Sequence, residues 1–155
     1  MLAHLFSKKN SHLWIGGFLA TAVIAAAVST WLNPPHVYGP DTRRMADVRQ
    51  VQLALALYAD NHDRTYPIFS PGCHNIGVLE EHLVPTYFNS LPHDPQLGKS
   101  WPDYRYAVLP DGKRFVIVAI LRKTDHTALQ FDLDGTILDC NCNDPSYCVD
   151  GTIDN

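Results

Sequence analysis

An α+β fold is expected: one long helix laid against a small three-stranded antiparallel sheet, closed by a disulfide-braced C-terminal loop. Three observations predict it. Met45, Val48, Val51, Leu55 and Tyr58 recur at three- and four-residue spacing, the mark of a helix with one buried face. Three β-type runs, residues 104–109, 114–122 and 127–133, follow one another across short polar turns. Cys140, Cys142 and Cys148 crowd the C-terminus, with Cys73 upstream as their fourth member.

The elements are justified in order from the N-terminus. LWIGGFLATAVIAAAVSTWL, residues 13–32, contains no charged residue. About 20 residues at 1.5 Å each span roughly 30 Å, the thickness of a bilayer core. Trp14 and Trp31 stand near its ends, where an indole straddles the interface. The competing assignment is a cleaved signal peptide, with Lys8 and Lys9 before it and Ala25-Ala26-Ala27 as a cleavage site. The apolar run continues beyond those alanines to Leu32, which favours a retained transmembrane helix. Lys8 and Lys9 then put residues 1–12 in the cytoplasm. Residues 33–40 form a hinge, because Pro34, Pro35 and Pro40 lack the helical donor and clash with a preceding turn.

Residues 41–155 form the soluble domain. Asp41 or Thr42 is expected to cap its helix. Leu53 and Leu57 are expected to widen the apolar stripe, with Arg43, Arg44, Asp47, Arg49 and Asp60 on a solvated face. Residues 78–83 read as a short helix ending before Pro85, and LPHDP, residues 91–95, as a rigid turn. RFVIVAILR is apolar enough for its centre to be buried, and Pro110-Asp111-Gly112-Lys113 is the turn before it.

The four cysteines read as disulfides in an exported domain. The short loop from Cys142 to Cys148 can close locally, leaving Cys73 with Cys140, although sequence leaves all three pairings open. A zinc site built from these thiolates and His74 lacks the paired Cys-x-x-Cys spacing. The eight histidines are scattered and none is ligand-spaced with another.

FDLDGTILD, residues 131–139, has the Asp-x-Asp-Gly-Thr form that opens the haloacid dehalogenase-like phosphatases. In those enzymes the motif begins a parallel α/β domain, and the remaining catalytic groups follow it. Here only about 20 residues follow, dense in Cys, Asn, Asp and Pro, so no complete site can be assembled. The stretch is expected to end a strand and begin the braced loop. Asp132, Asp134, Asp139, Asp144 and Asp150, with Asn141 and Asn143, supply hard oxygen donors suited to calcium, although the EF-hand spacing is absent. A net charge of -4, without a basic tract, offers no nucleic-acid surface.

RRMADVRQVQLALALYADNHDRTYP resembles the soluble helix of type II secretion pseudopilins and related type IV pilin-like proteins. Its matching residues are Arg43-Arg44, Asp47-Val48, Val51, Ala54-Leu55, Tyr58, Asp60 and Tyr66-Pro67. Leu79, Leu83-Val84-Pro85, Tyr87-Phe88, Leu91-Pro92 and Asp94-Pro95 resemble that family's run into its sheet. Tyr104 and Tyr106 resemble its first strand, Asp134-Gly135-Thr136 the loop after its last strands, and CNDPSYCV the C-terminus of some pilin-like proteins. The likeness spans residues 42–149.

The resemblance implies a pilin-like fold whose long N-terminal helix has its lower half in the membrane. It also implies a non-catalytic subunit of a secretion pseudopilus or type IV pilus-like filament. Such a subunit sits in the inner membrane with its C-terminal domain periplasmic or extracellular. It associates with itself, with other pseudopilins or pilins through the N-terminal helix, and with the assembly machinery. A calcium ion steadies the C-terminal loop of major pseudopilins, which adds to the case for the carboxylates above. Family members are cut after a glycine, leaving a methylated phenylalanine, and Gly17-Phe18 is the matching junction. Here the chain departs from the pattern: Leu13-Trp14-Ile15 precede the junction, and the fifth mature residue is Ala22 instead of glutamate. The alternative is a binding module of the same fold on an uncleaved single-pass anchor, which does not polymerise.

Overall fold

Pro40 opens the first helix, α1 (Pro40–Asp60), where its missing N–H is one of the donors a helix start leaves unpaired anyway. Gly39 occupies the N-cap position and offers no side-chain cap, so the expected capping by Asp41 or Thr42 is corrected: both lie inside the helix. The computed structural model describes residues 39–99 and 101–153. The predicted cytoplasmic segment, transmembrane helix, most of the hinge and the Gly17-Phe18 junction lie outside the described residues.

After α1 come β1 (His74–Asn75), a 3₁₀ turn (Ile76–Leu79) running into the short α2 (Glu80–Leu83), β2 (Arg105–Val108) and β3 (Arg114–Ile120). A second 3₁₀ turn (Thr127–Gln130), β4 (Thr136–Ile137), β5 (Cys140–Asn141) and β6 (Ser146–Thr152) complete the order. The main sheet has four strands in the order β1-β2-β3-β6, antiparallel throughout, and β4-β5 is a separate hairpin.

The third long strand is therefore not residues 127–133. His126 Nδ1 accepts the Ala128 N–H at 3.1 Å and winds that segment into a 3₁₀ turn. The place beside β3 goes to SYCVDGT, which pairs with it along seven residues, from Arg114↔Thr152 to Ile120↔Ser146. FDLDGTILD likewise does not end a strand: Phe131 terminates the 3₁₀ turn, and Thr136–Ile137 begin the small hairpin.

β3 is apolar without alternation because both faces of the sheet are covered. Phe115, Ile117 and Ala119 join Tyr106, Tyr147 and Val149 in the core beneath α1, where Val48, Val51 and Leu55 are fully buried. Val116 and Val118 point the other way, into a second core made with Ala107, Cys140, Cys142 and Cys148. The layers are thus helix, sheet and disulfide loop, and a period of two places alternate β3 residues in different cores.

Cys73 pairs with Cys140 and Cys142 with Cys148. The first bond ties the approach to β1 to the start of β5, and the second closes the loop that leads into β6. Gly112 turns β2 into β3 at φ +67°, and a side chain there would collide with Thr65.

Candidate interaction surface

α1 carries two features that its sequence misassigned. Leu53 is 62% exposed and Leu57 46%, so neither widens the buried stripe. Each lies two residues from a buried member, Val51 or Leu55, and two residues at 100° is more than half a turn around the helix. They belong to the outer face with Arg43, Arg49 and Asp60. Arg44, in contrast, falls four residues before Val48 on the buried stripe, and its side chain is 0% exposed.

Its charge is fully met. Arg44 Nε donates to Asp94 Oδ2 at 2.6 Å and Nη2 to Asp94 Oδ1 at 3.1 Å. Nη1 donates to Asp41 Oδ1 at 2.6 Å, and Nη2 also to Gln96 Oε1 at 2.9 Å. The Trp101 ring stacks 4.7 Å from the guanidinium carbon, a cation–π contact in a desolvated place. Burial alone would lower the Arg44 pKa, but Asp94 and Asp41 outweigh it and hold the pKa above its ordinary value. Asp41 meanwhile accepts the backbone N–H groups of Arg122 and Lys123 at 2.9 and 3.0 Å. Burial pushes its carboxyl up, and those two donors together with Arg44 more than reverse the effect, leaving it below the usual range. This knot clips the first turn of α1 to the LPHDP turn and to the end of β3.

Asp47 is also buried, with 8% of its surface exposed, and accepts the Tyr104 hydroxyl at 2.8 Å. Burial raises its pKa despite that bond and the nearby Arg43. His93 Nδ1 lies 2.7 Å from Asp103 Oδ2, while Asp103 Oδ1 accepts the N–H groups of Asp94 and Tyr104. That pair holds the turn.

The five aspartates of the C-terminal region stand in different surroundings. Asp132 Oδ2 accepts the Cys148 N–H at 2.8 Å, and its Oδ1 is buried without a partner. Burial raises the pKa of this carboxyl, and Asp134 and Asp144 add to the rise. Asp150 is paired with Arg114 across the β3-β6 ladder at 2.8 Å. Asp134, Asp139 and Asp144 are exposed, and Asp139 sits in the hairpin turn at φ +65° beside Leu138 at +50°. Among the described residues no three His, Cys, Asp or Glu side chains converge to hold a metal ion. The first carboxylate of FDLDG is therefore spent on the edge of β6, with one oxygen bonded and the other enclosed. That is a poor posture for attack on phosphorus.

Two shallow cavities follow the line where α1 meets β6. One, of about 170 Å³, is bounded by Arg49, Gln52, Phe131, Asp132 and Asp150. The next, of about 340 Å³, shares Arg49 and Gln52 and continues over Leu53, Ala56, Tyr66, Phe115 and Gly151. A third, of about 290 Å³, flanks α1 on its other side, with Leu53, Leu57, Tyr87 and Phe88. All three are open to solvent. Among the described residues no helix is long and apolar enough to cross a membrane.

Comparison of the chain with protein-family models, with curated proteins and with solved structures finds no match.

Proposed function

We propose that the chain is a non-catalytic, membrane-anchored structural subunit of pilin-like design, acting in a secretion pseudopilus or type IV pilus-like filament at the inner membrane. The observation that carries the reading is α1. It is a 21-residue helix that starts soon after the apolar segment 13–32, is pinned at its first turn, and lies along one face of an antiparallel sheet. A disulfide-braced loop on the opposite face completes the resemblance to a pilin-like domain. On this reading residues 13–32 anchor the subunit and supply its contact with neighbours, and the exported domain is exposed beyond the membrane.

Calcium belongs to the same reading as a ligand of the C-terminal loop. Asp134, Asp139 and Asp144 are exposed and available to it, whereas Asp150 would have to leave Arg114 and Asp132 the β6 edge. Addition of calcium to the chelated protein should raise its unfolding temperature, and an unchanged transition would remove the ion from the reading.

The absence of glutamate at the fifth position after Gly17 supports a second reading, a static binding module on an uncleaved anchor. Intact mass and N-terminal sequencing of protein taken from its native membranes separate the two. A methylated Phe18 supports the filament subunit, and an untouched Met1 supports the anchored module.

A further inference from the structure

Aspartate precedes glycine at three places, Asp111–Gly112, Asp134–Gly135 and Asp150–Gly151. Each is a reactive pair. Glycine has no Cβ to shield its amide nitrogen, so that nitrogen can approach the preceding side-chain carboxyl and close a five-membered imide. The three pairs are alike in sequence and unlike in the fold.

Two of them are restrained. The Gly112 N–H donates to Leu109 O at 2.9 Å, and Asp111 Oδ1 accepts the Lys113 N–H at 2.9 Å. Gly112 is also buried, with Thr65, Ile68 and Tyr66 packed against it. Gly151 is paired with Phe115 inside the β3-β6 ladder, beneath the Phe115 ring. Asp150 Oδ2 accepts Arg114 Nε and Nη2 at 3.0 and 2.8 Å, and Asp150 O accepts Gln52 Nε2 at 2.7 Å. A pair held in this way must open locally before it can react.

The third pair has none of these restraints. Asp134 is exposed, and among the described residues no hydrogen bond or ion pair engages its carboxylate. The Gly135 N–H likewise has no acceptor among them. A Cβ built on Gly135 would meet nothing within 4 Å, so there is room for the ring. The pair lies between the second 3₁₀ turn and β4, outside both sheets.

We propose that Asp134–Gly135 is a self-modification site, where aspartate isomerises to isoaspartate. Gly135 N attacks Cγ of the protonated Asp134 side chain, and the N–Cγ bond forms. The amide hydrogen and the carboxyl hydroxyl leave together as water. A second water then opens the imide. Cleavage at Cγ restores aspartate, whereas cleavage at the main-chain carbonyl carbon leaves isoaspartate. One water leaves and one enters, and nothing is oxidised or reduced. The main chain of the product runs through Cβ and Cγ of residue 134 and is longer by one atom. That change falls beside the Gly135 carbonyl, which accepts the Cys142 N–H at 2.7 Å at the base of the β4-β5 hairpin.

The test uses the full chain, folded in detergent with a chelator and warmed below its unfolding transition. Samples are digested with an endoproteinase that cuts before aspartate but not before isoaspartate, and the peptides are mapped by mass spectrometry. Resistance should develop at Asp134 about tenfold faster than at Asp111 or Asp150, each of which must first give up hydrogen bonds. The same chain, reduced and unfolded in guanidinium chloride, is the reference, and incubation continues until it has reacted. There the three positions should react at similar rates. Similar rates in the folded chain, a lead for Asp111 or Asp150, or selectivity that survives unfolding would overturn the proposal. So would a folded chain left unmodified at Asp134 when the unfolded chain has reacted. Asp134→Asn, at an exposed position, supplies the second arm. It should reach the same imide by losing ammonia and yield isoaspartate as the main product, and a product that is only aspartate would rule the imide out.

Discussion

The Arg44 guanidinium grips the Asp94 carboxylate with two hydrogen bonds, of 2.6 and 3.1 Å, across 50 positions of sequence. Both groups are enclosed, at 0% and 1% side-chain exposure. In such a place the attraction is large and so is the desolvation cost, and the net value of the pair is small compared with the penalty for breaking it. Its role is to specify where α1 begins on the domain. Arg44→Ala is expected to cost about 3–5 kcal/mol, because Asp94 would be left buried and unpaired. Replacing both partners with apolar residues should recover much of the loss. Thermal or urea unfolding of the single and double variants measures both, and a single-variant loss under about 1 kcal/mol would mean the knot is more hydrated than its geometry indicates.

The two faces of α1 should respond differently to truncation. Leu55→Ala, in the core at 0% exposure, should cost about 2–5 kcal/mol, while Leu53→Ser should stay within about 0.5 kcal/mol. Equal losses in urea titrations would contradict the assignment of Leu53 to the outer face.

Acid should act on the carboxylates with opposite signs. The Asp41 pKa is lowered on folding, so its stabilisation is present above the unfolded value of 3.8 and is lost as pH falls through the folded pKa. The Asp132 pKa is raised, so its contribution is present below 3.8 and is lost as pH rises through the folded pKa. Asp132→Asn keeps an acceptor for the Cys148 N–H and removes the enclosed charge. It should leave the protein at least as stable at pH 7, with a gain on the order of 1 kcal/mol or less. Asp41→Ala should destabilise by about 1–2 kcal/mol at pH 7, with the difference shrinking below pH 3.8. Unfolding curves of both variants from acid to neutral pH would show parallel slopes if these assignments were wrong.

The disulfides should contribute unequally. In the chain-entropy description, the bond Cys73–Cys140, with a separation of 67 residues, constrains the unfolded chain by about 4 kcal/mol. Cys142–Cys148, with a separation of 6, constrains it by about 2–3 kcal/mol. Paired Cys→Ala variants should therefore rank in that order. Limited proteolysis of residues 131–146 under reductant and chelator should accelerate, and a cleavage rate unchanged by both would count against bracing of that loop.

Local patterning was enough for much of this domain. The α1 stripe, the buried run of β3, the turn at Gly112, the short helix before Pro85 and the mixed helix–sheet class all follow from spacing and backbone chemistry near in sequence. Arg44 was open to the same reasoning, since its four-residue spacing to Val48 places it on the buried stripe. Its charge argued the other way until Asp94, Asp41 and Trp101 were brought to it.

What only the tertiary structure decided is whatever depends on a distant partner. Residues 127–133 have the composition of a strand, but SYCVDGT wins the edge of β3, where each alternate residue has a core to enter. The pairing of Cys73 with Cys140, which the short Cys142–Cys148 loop suggests but sequence does not fix among three, is the one adopted, and the disulfide loop covers the second face of the sheet. Phe131, one aromatic in a polar stretch, is left 87% exposed where the following residues, Asp132 and Leu133, are fastened to Cys148. Sequence determines the local conformational preferences, whereas the cost of leaving a buried charge or a strand edge unpaired can be met only by residues that folding brings together.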